Sequence, residues 1–178
     1  MLKPTYLTAF SFLLIAGLAV GGRAEKIPYA KSPIKPLTPE WRAKIEGFAS
    51  QKATVDAAKR KVLVFSLFTG FKHDVVPYVD CVFEVLGKKS GAFDVTRTVD
   101  IEALTPQGLA AYDVLVLNNN CSIGPRRNLF LDELERNPHY RDMTAKQRQA
   151  KADSLEQSIL DFVAGERDWL QFTVPLRC

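Results

Sequence analysis

The chain has 178 residues, 47% of them hydrophobic and 25% charged. That is the composition of a globular protein about one domain long, and it excludes disorder as the default. The formal charge is only +4, and the three cysteines cannot pair completely within one chain; so near a charge balance argues against nucleic acid as the partner.

In chain order, Lys3 precedes an apolar stretch from Ala9 to Val20, and Gly22-Arg23-Ala24 supplies small residues around a cleavage point. Residues 1–24 therefore read as a signal peptide cleaved after Ala24. A membrane anchor would need about 20 apolar residues, more than this core offers. The mature protein is expected to be secreted or periplasmic, with no membrane span after signal removal. Loss of Lys3 and Arg23 leaves 22 basic against 20 acidic residues, a formal charge of +2.

Residues 25–59 hold Pro28, Pro33, Pro36 and Pro39, followed by Trp41 and Ile45 in a polar stretch that is compatible with a helix. This segment is expected to be a proline-containing spacer. Lys59-Arg60-Lys61 then gives way to Val62-Leu63-Val64-Phe65-Ser66, a continuous apolar run of the kind found in strands covered on both faces. Val75, Val79, Phe83 and Leu86 recur at helical spacing, which predicts a helix that starts at His73 or Asp74 and ends near Gly87 or Gly91. Pro77 falls in its first turn, where proline is tolerated.

Phe93 to Thr98 alternates and carries β-branched residues, giving a second strand. Thr105-Pro106 caps and opens a short helix through Tyr112, and Val114 to Leu117 forms a third strand that runs into Asn118-Asn119-Asn120. After a short apolar segment, Leu129 to Leu134, Thr144 and Gln147 form a capping-box pattern. The long helix it opens buries Leu155, Ile159, Phe162 and Val163 and ends at Gly165. The alternation of strand and helix predicts an α/β domain with an open, doubly wound parallel sheet, and a fourth strand is expected straight after Gly165.

Ligands of such sheets bind at the carboxyl ends of the strands. After the first strand come Thr69, Gly70, Phe71, Lys72, His73 and Asp74, which bring a hydroxyl, a glycine, an ammonium, an imidazole and a carboxylate to a helix start that favours anionic or polar ligands. The blander alternative is that Asp74 caps the helix and His73 is a solvated loop residue. Asn118, Asn119 and Asn120 offer donors and acceptors to a polyhydroxylated ligand, and they serve equally well as turn formers. Cys81 lies among Val79, Val82 and Phe83 and reads as a core thiol. Cys121 lies in no nucleophile-elbow sequence, so a catalytic thiol is the weaker reading. No metal-ligand spacing, phosphate-binding loop or dinucleotide fingerprint occurs, and no cofactor is expected.

Four segments carry a resemblance: Val62-Leu63-Val64-Phe65-Ser66 with Thr69-Gly70-Phe71-Lys72-His73-Asp74, then Ala111-Tyr112-Asp113-Val114-Leu115-Val116, and Phe162-Val163-Ala164-Gly165. Together they resemble the ThuA-like (trehalose utilisation) family, from about Lys61 to Gly165. The Gly-Phe-Lys-His element is the most specific part, whereas the Tyr-Asp-Val strand is shared by many Rossmann-like domains. The resemblance implies a flavodoxin-like fold similar to class I glutamine amidotransferases, without implying amidotransferase activity. It implies a role in using trehalose or related sugars, with a small-molecule carbohydrate as partner. His73 carries over as a site residue, with Phe71 and Lys72 in the same motif, and is read here as the catalytic one; Asn118 to Asn120 carry over only by their position at a strand end.

Past Gly165 the chain departs from the family. A second glycine, an apolar strand and a histidine turn should follow, but Glu166-Arg167-Asp168-Trp169-Leu170-Gln171-Phe172-Thr173 stands there. Joining the third base of each codon to the first two of the next lets Arg167 to Val174 encode Lys-Gly-Leu-Ala-Ala-Val-His-Gly, which is the missing strand and turn. Residues 166–178 are therefore expected to be an out-of-frame tail of an incomplete domain, so that Trp169, Phe172 and Cys178 carry no functional information. The alternative is a real strand from Trp169 to Val174 in a small complete domain.

Overall fold

A computed structural model describes residues 37–53, 58–71, 73–123, 125–165 and 168–172, the last by its backbone. The expected signal peptide, Lys72 and Cys178 lie outside these residues. The ordered elements are α1 (Pro39–Phe48), β1 (Arg60–Phe65), α2 (Val76–Ser90), β2 (Phe93–Thr98), a 3-10 turn (Ile101–Leu104), α3 (Pro106–Leu109), β3 (Val114–Asn118), α4 (Leu129–Arg136), a second 3-10 turn (Pro138–Tyr140), α5 (Ala145–Ala164) and β4 (Asp168–Phe172). The strands form one parallel sheet in the order β2-β1-β3-β4. The fold is therefore α/β with an open parallel sheet, and β4 stands where a fourth strand is expected.

Parallel pairing and alternation of side chains sort β1 into two faces. Leu63 and Phe65 point into one core with Leu104, Leu109, Leu115, Leu134 and Leu155, contributed by the first 3-10 turn, α3, β3, α4 and α5. Val62 and Val64 point the other way, with Val116, Phe83 and Phe93, under α2. Helices thus cover both faces, as right-handed crossovers demand when the chain steps from β1 to β2 on one side and then back past β1 to β3 on the other. The place where the path reverses, between the carboxyl ends of β1 and β3, is a topological switch point.

Local chemistry explains most element ends. In α5, Thr144 Oγ1 accepts from Gln147 N while the Gln147 side chain accepts from Thr144 N, so the capping box is complete. Gly91 takes φ 68° to close α2, a left-handed conformation that favours glycine.

Several expectations need correction. Asp74 does not cap α2, which begins at Val76 after Val75 and carries Pro77 in its first turn. Helix α3 ends at Leu109 rather than Tyr112. Leu129 to Leu134, read only as an apolar segment, belongs to a helix capped by Asn128, whose Oδ1 accepts from Leu131 N. The stretch of Trp41 and Ile45 is helical, as its sequence allows: in α1, Trp41 meets Tyr78 of α2 edge-on at 4.8 Å, and Ala49 and Ile45 close over Cys81 and Val85. Cys81 is a buried core residue, as its neighbours suggest.

Candidate functional site

The loops that leave the switch point are residues 66–75 after β1 and 119–128 after β3. They meet tightly. Thr69 N and Gly70 N both donate to the Cys121 carbonyl, at 2.9 and 3.1 Å. A Cβ on Gly70 would lie 2.6 Å from the Ser122 carbonyl oxygen, so only glycine permits this approach. Asn120 Nδ2 donates to the carbonyls of Phe65 and Leu67 at 3.2 and 2.7 Å, which ties the second loop across the end of β1.

Helix α4 clamps the same junction. Asp132 is buried, and its Oδ2 accepts from Thr69 Oγ1 at 2.6 Å and from Ile123 N at 2.9 Å. One turn further on, the Arg136 guanidinium donates to the Thr69 carbonyl at 3.1 Å. Deeper in, beneath the loops, Asn118 is fully buried. Its Nδ2 donates to Asp80 Oδ1 at 2.8 Å, and it reaches Ser66 Oγ and the Val76 carbonyl at 3.1 Å each. Ser66 Oγ donates to the same Asp80 oxygen at 2.7 Å, and Asn119 Nδ2 donates to Asn118 Oδ1 at 2.7 Å. Asp80 Oδ2 stands 3.8 Å from Arg97, whose Nε pairs with Glu84 at 2.6 Å.

The structure thus brings Thr69, Gly70 and Asn120 together at the junction, and places Asn118 and Asn119 below it. Asn119 takes φ 52°, the left-handed conformation that asparagine tolerates, and is where β3 turns out of the sheet. Among the described residues of the first loop, Phe71 and Val75 are exposed. Phe71 is about half exposed, at 49%, and its ring meets the half-buried His73 edge-on at 4.9 Å. The His73 carbonyl accepts from Val76 N, which fixes the loop onto the first turn of α2. Asp74, beside it, is half-buried.

Cys121 is buried, and its Sγ donates to the Phe71 carbonyl at 3.1 Å. The thiol therefore holds the Phe71 loop from below, the reverse of an exposed nucleophile. Sequence reasoning did not single out Ser66, Asp80, Asp132 or Arg136. A signal existed for Asp80, because Val76, Asp80 and Gly87 share one buried stripe of α2, where a carboxylate demands partners.

No cluster of three or more metal-ligating side chains occurs among the described residues. None of their helices is long and apolar enough to cross a membrane. Fold and junction define an α/β protein with an open parallel sheet and a loop crossing at its switch point. No family model, curated protein or solved structure matches the chain.

Proposed function

We propose that the chain is the ThuA-like part of an exported protein that binds a carbohydrate, trehalose or a related sugar, at the carboxyl ends of β1 and β3. The observation that carries this reading is the Phe71–His73 pair, an exposed aromatic face beside an imidazole on a loop clamped from three sides. A pyranose offers an apolar C–H face and a rim of hydroxyls, and such a pair addresses both. The strand order supports the flavodoxin-like class, whose sheets begin in the order 2-1-3-4.

In this reading Phe71 stacks on the sugar and His73 exchanges a proton with, or polarises, one hydroxyl. Lys72 lies between them in sequence and orients the ligand. Gly70, Asn118, Asn119 and Asn120 serve the site by shaping the junction. Calorimetric titration of the full chain with trehalose should give saturable binding, weakened at least tenfold in Phe71→Ala. Chromatography of the incubated sugar separates two cases. Turnover that disappears in His73→Ala supports an enzyme, and binding without turnover supports a sugar-binding domain. Absence of saturable binding to trehalose and other disaccharides would overturn the reading.

A further inference from the structure

Thr69, expected among the ligand-binding residues, turns its polar atoms inward. Its N donates to the Cys121 carbonyl, its Oγ1 donates to Asp132 Oδ2 and lies 3.5 Å from the Cys121 carbonyl oxygen, and its own carbonyl accepts from Arg136. Phe71 follows two residues later. Between them Gly70 is buried and donates to Cys121, with the Ser122 carbonyl too close for any Cβ, so a shift at Thr69 has little slack to be absorbed in before it reaches the ring.

Two of the partners of Thr69 come from α4. Leu131 and Leu134 seat that helix in the core with Leu63, Leu115 and Leu155. Asp132 and Arg136 stand one helical turn apart and so leave α4 on one side. The Asp132 side chain is buried, and a single oxygen of it accepts from both loops, from Thr69 Oγ1 in the first and from Ile123 N in the second. Taking a carboxylate out of water is costly, and an apolar side chain in the same place would stabilise the fold as well or better. What the carboxylate alone supplies is an acceptor that the two loops share.

We infer that Asp132 is a positioning residue of the Phe71 loop: through Thr69, and with Arg136 beside it, it sets where the aromatic ring stands relative to the second loop. Its part in ligand binding rests on the sugar reading; the bonds through which it acts do not.

The test combines calorimetric titration of the full chain with trehalose and amide hydrogen exchange. Thr69→Val keeps the shape of the side chain and removes the hydroxyl. It should weaken trehalose about tenfold, the scale of one buried hydrogen bond to a charged group, and should speed exchange at positions 69 and 70 by a similar factor. The amide of Leu155, in the core, should keep its wild-type rate. Thr69→Ser, which keeps the hydroxyl, should bring both readouts back to within about threefold of the wild type. Asp132→Leu should lose at least as much affinity as Thr69→Val, and the double variant should bind as weakly as Asp132→Leu alone, because the two residues act through one bond. Where Asp132→Leu fails to fold, Arg136→Gln takes its place; that position is exposed, and the variant should weaken trehalose by about threefold.

A wild type that binds no disaccharide would sink the sugar reading and, with it, a part for Asp132 in binding. A wild type that binds, beside a folded Thr69→Val of equal affinity, would overturn this inference alone. So would a loss that Thr69→Ser does not restore, or faster exchange that extends equally to Leu155, since either marks a side chain that only supports the fold.

Discussion

The two ends of the sheet use polar residues in opposite ways. At the carboxyl ends, Ser66, Thr69, Asp80, Asn118, Asn120 and Asp132 bond one another and the backbone, and four of them are buried or nearly so. At the amino ends, Lys52 and Arg60 stand in the open beside an exposed aromatic ring. A cluster of polar residues at the expected end of an α/β sheet is thus in large part architecture, which shapes two loops so that a few outward groups keep their places. At the other end, neither cation makes an ion pair among the described residues.

The sharpest way to break this comparison is Asp80→Ala. It removes the acceptor of two buried groups, Ser66 Oγ and Asn118 Nδ2, and should destabilise the fold by roughly 3 kcal/mol in urea denaturation. A loss below about 1 kcal/mol would mean that the carboxyl-end network is not structural.

A smaller effect is expected just past β2, where Glu102 accepts from Tyr140 Oη at 2.8 Å and pairs with Lys151 at 2.8 Å. Burial alone would raise the Glu102 carboxyl, but the bonds from Lys151 and Tyr140 and the charge of Lys151 outweigh it and hold its pKa below the ordinary value. Burial and the bond to Glu102 raise the Tyr140 hydroxyl. Because the folded-state pKa of Glu102 is depressed, its contribution is present above the unfolded value and is lost as pH falls through the folded one. The carboxylate is 42% exposed, so the change should be that of a screened pair, about 0.2–1 kcal/mol. Urea midpoints measured between neutral and acid pH should show this loss in the wild type and a smaller one in Glu102→Gln.

The smallest effect belongs to the amino end. Phe48→Ser should change stability by no more than about 0.5 kcal/mol, as for a surface residue, even though it removes an aromatic ring. A thermal melt displaced by several degrees would show instead that Phe48 is packed.

Much of the fold is legible in the residues. Phe93 to Thr98 alternates and is β2, Gly91 ends α2, and Thr144 with Gln147 opens α5. The misses have local causes. The turn at Ile101–Leu104 and helix α4 are too short for periodicity to register, and their signs are single caps: Asp100 accepting from Glu102 N, and Asn128 accepting from Leu131 N. Strand β1 begins at Arg60, ahead of the apolar run, because Arg60 and Lys61 pair with Phe93 and Asp94 and Lys61 N donates to Asp113 Oδ2. Such long-range partners leave no mark nearby in the chain.

The site is less legible. The location of Thr69, Gly70, Phe71 and His73 follows from the rule for strand ends, but residue type alone does not tell an inward asparagine from an outward one. Asn118 continues the alternation of β3 with its amide turned into the buried Asp80 cluster, while Asn120 bridges to the end of β1. The partners Asp80 and Asp132 come from helices whose contacts are made 38 and 63 residues away.

The strand order β2-β1-β3-β4 also bears on how the chain comes to be folded. As the polypeptide lengthens, β2 adds to one side of β1, β3 adds to its other side, and β4 adds to β3. Each newcomer joins an edge that is still open, and no strand has to be threaded between two that have already paired. The sheet can therefore assemble in the order of synthesis, outward from β1, without undoing any earlier step.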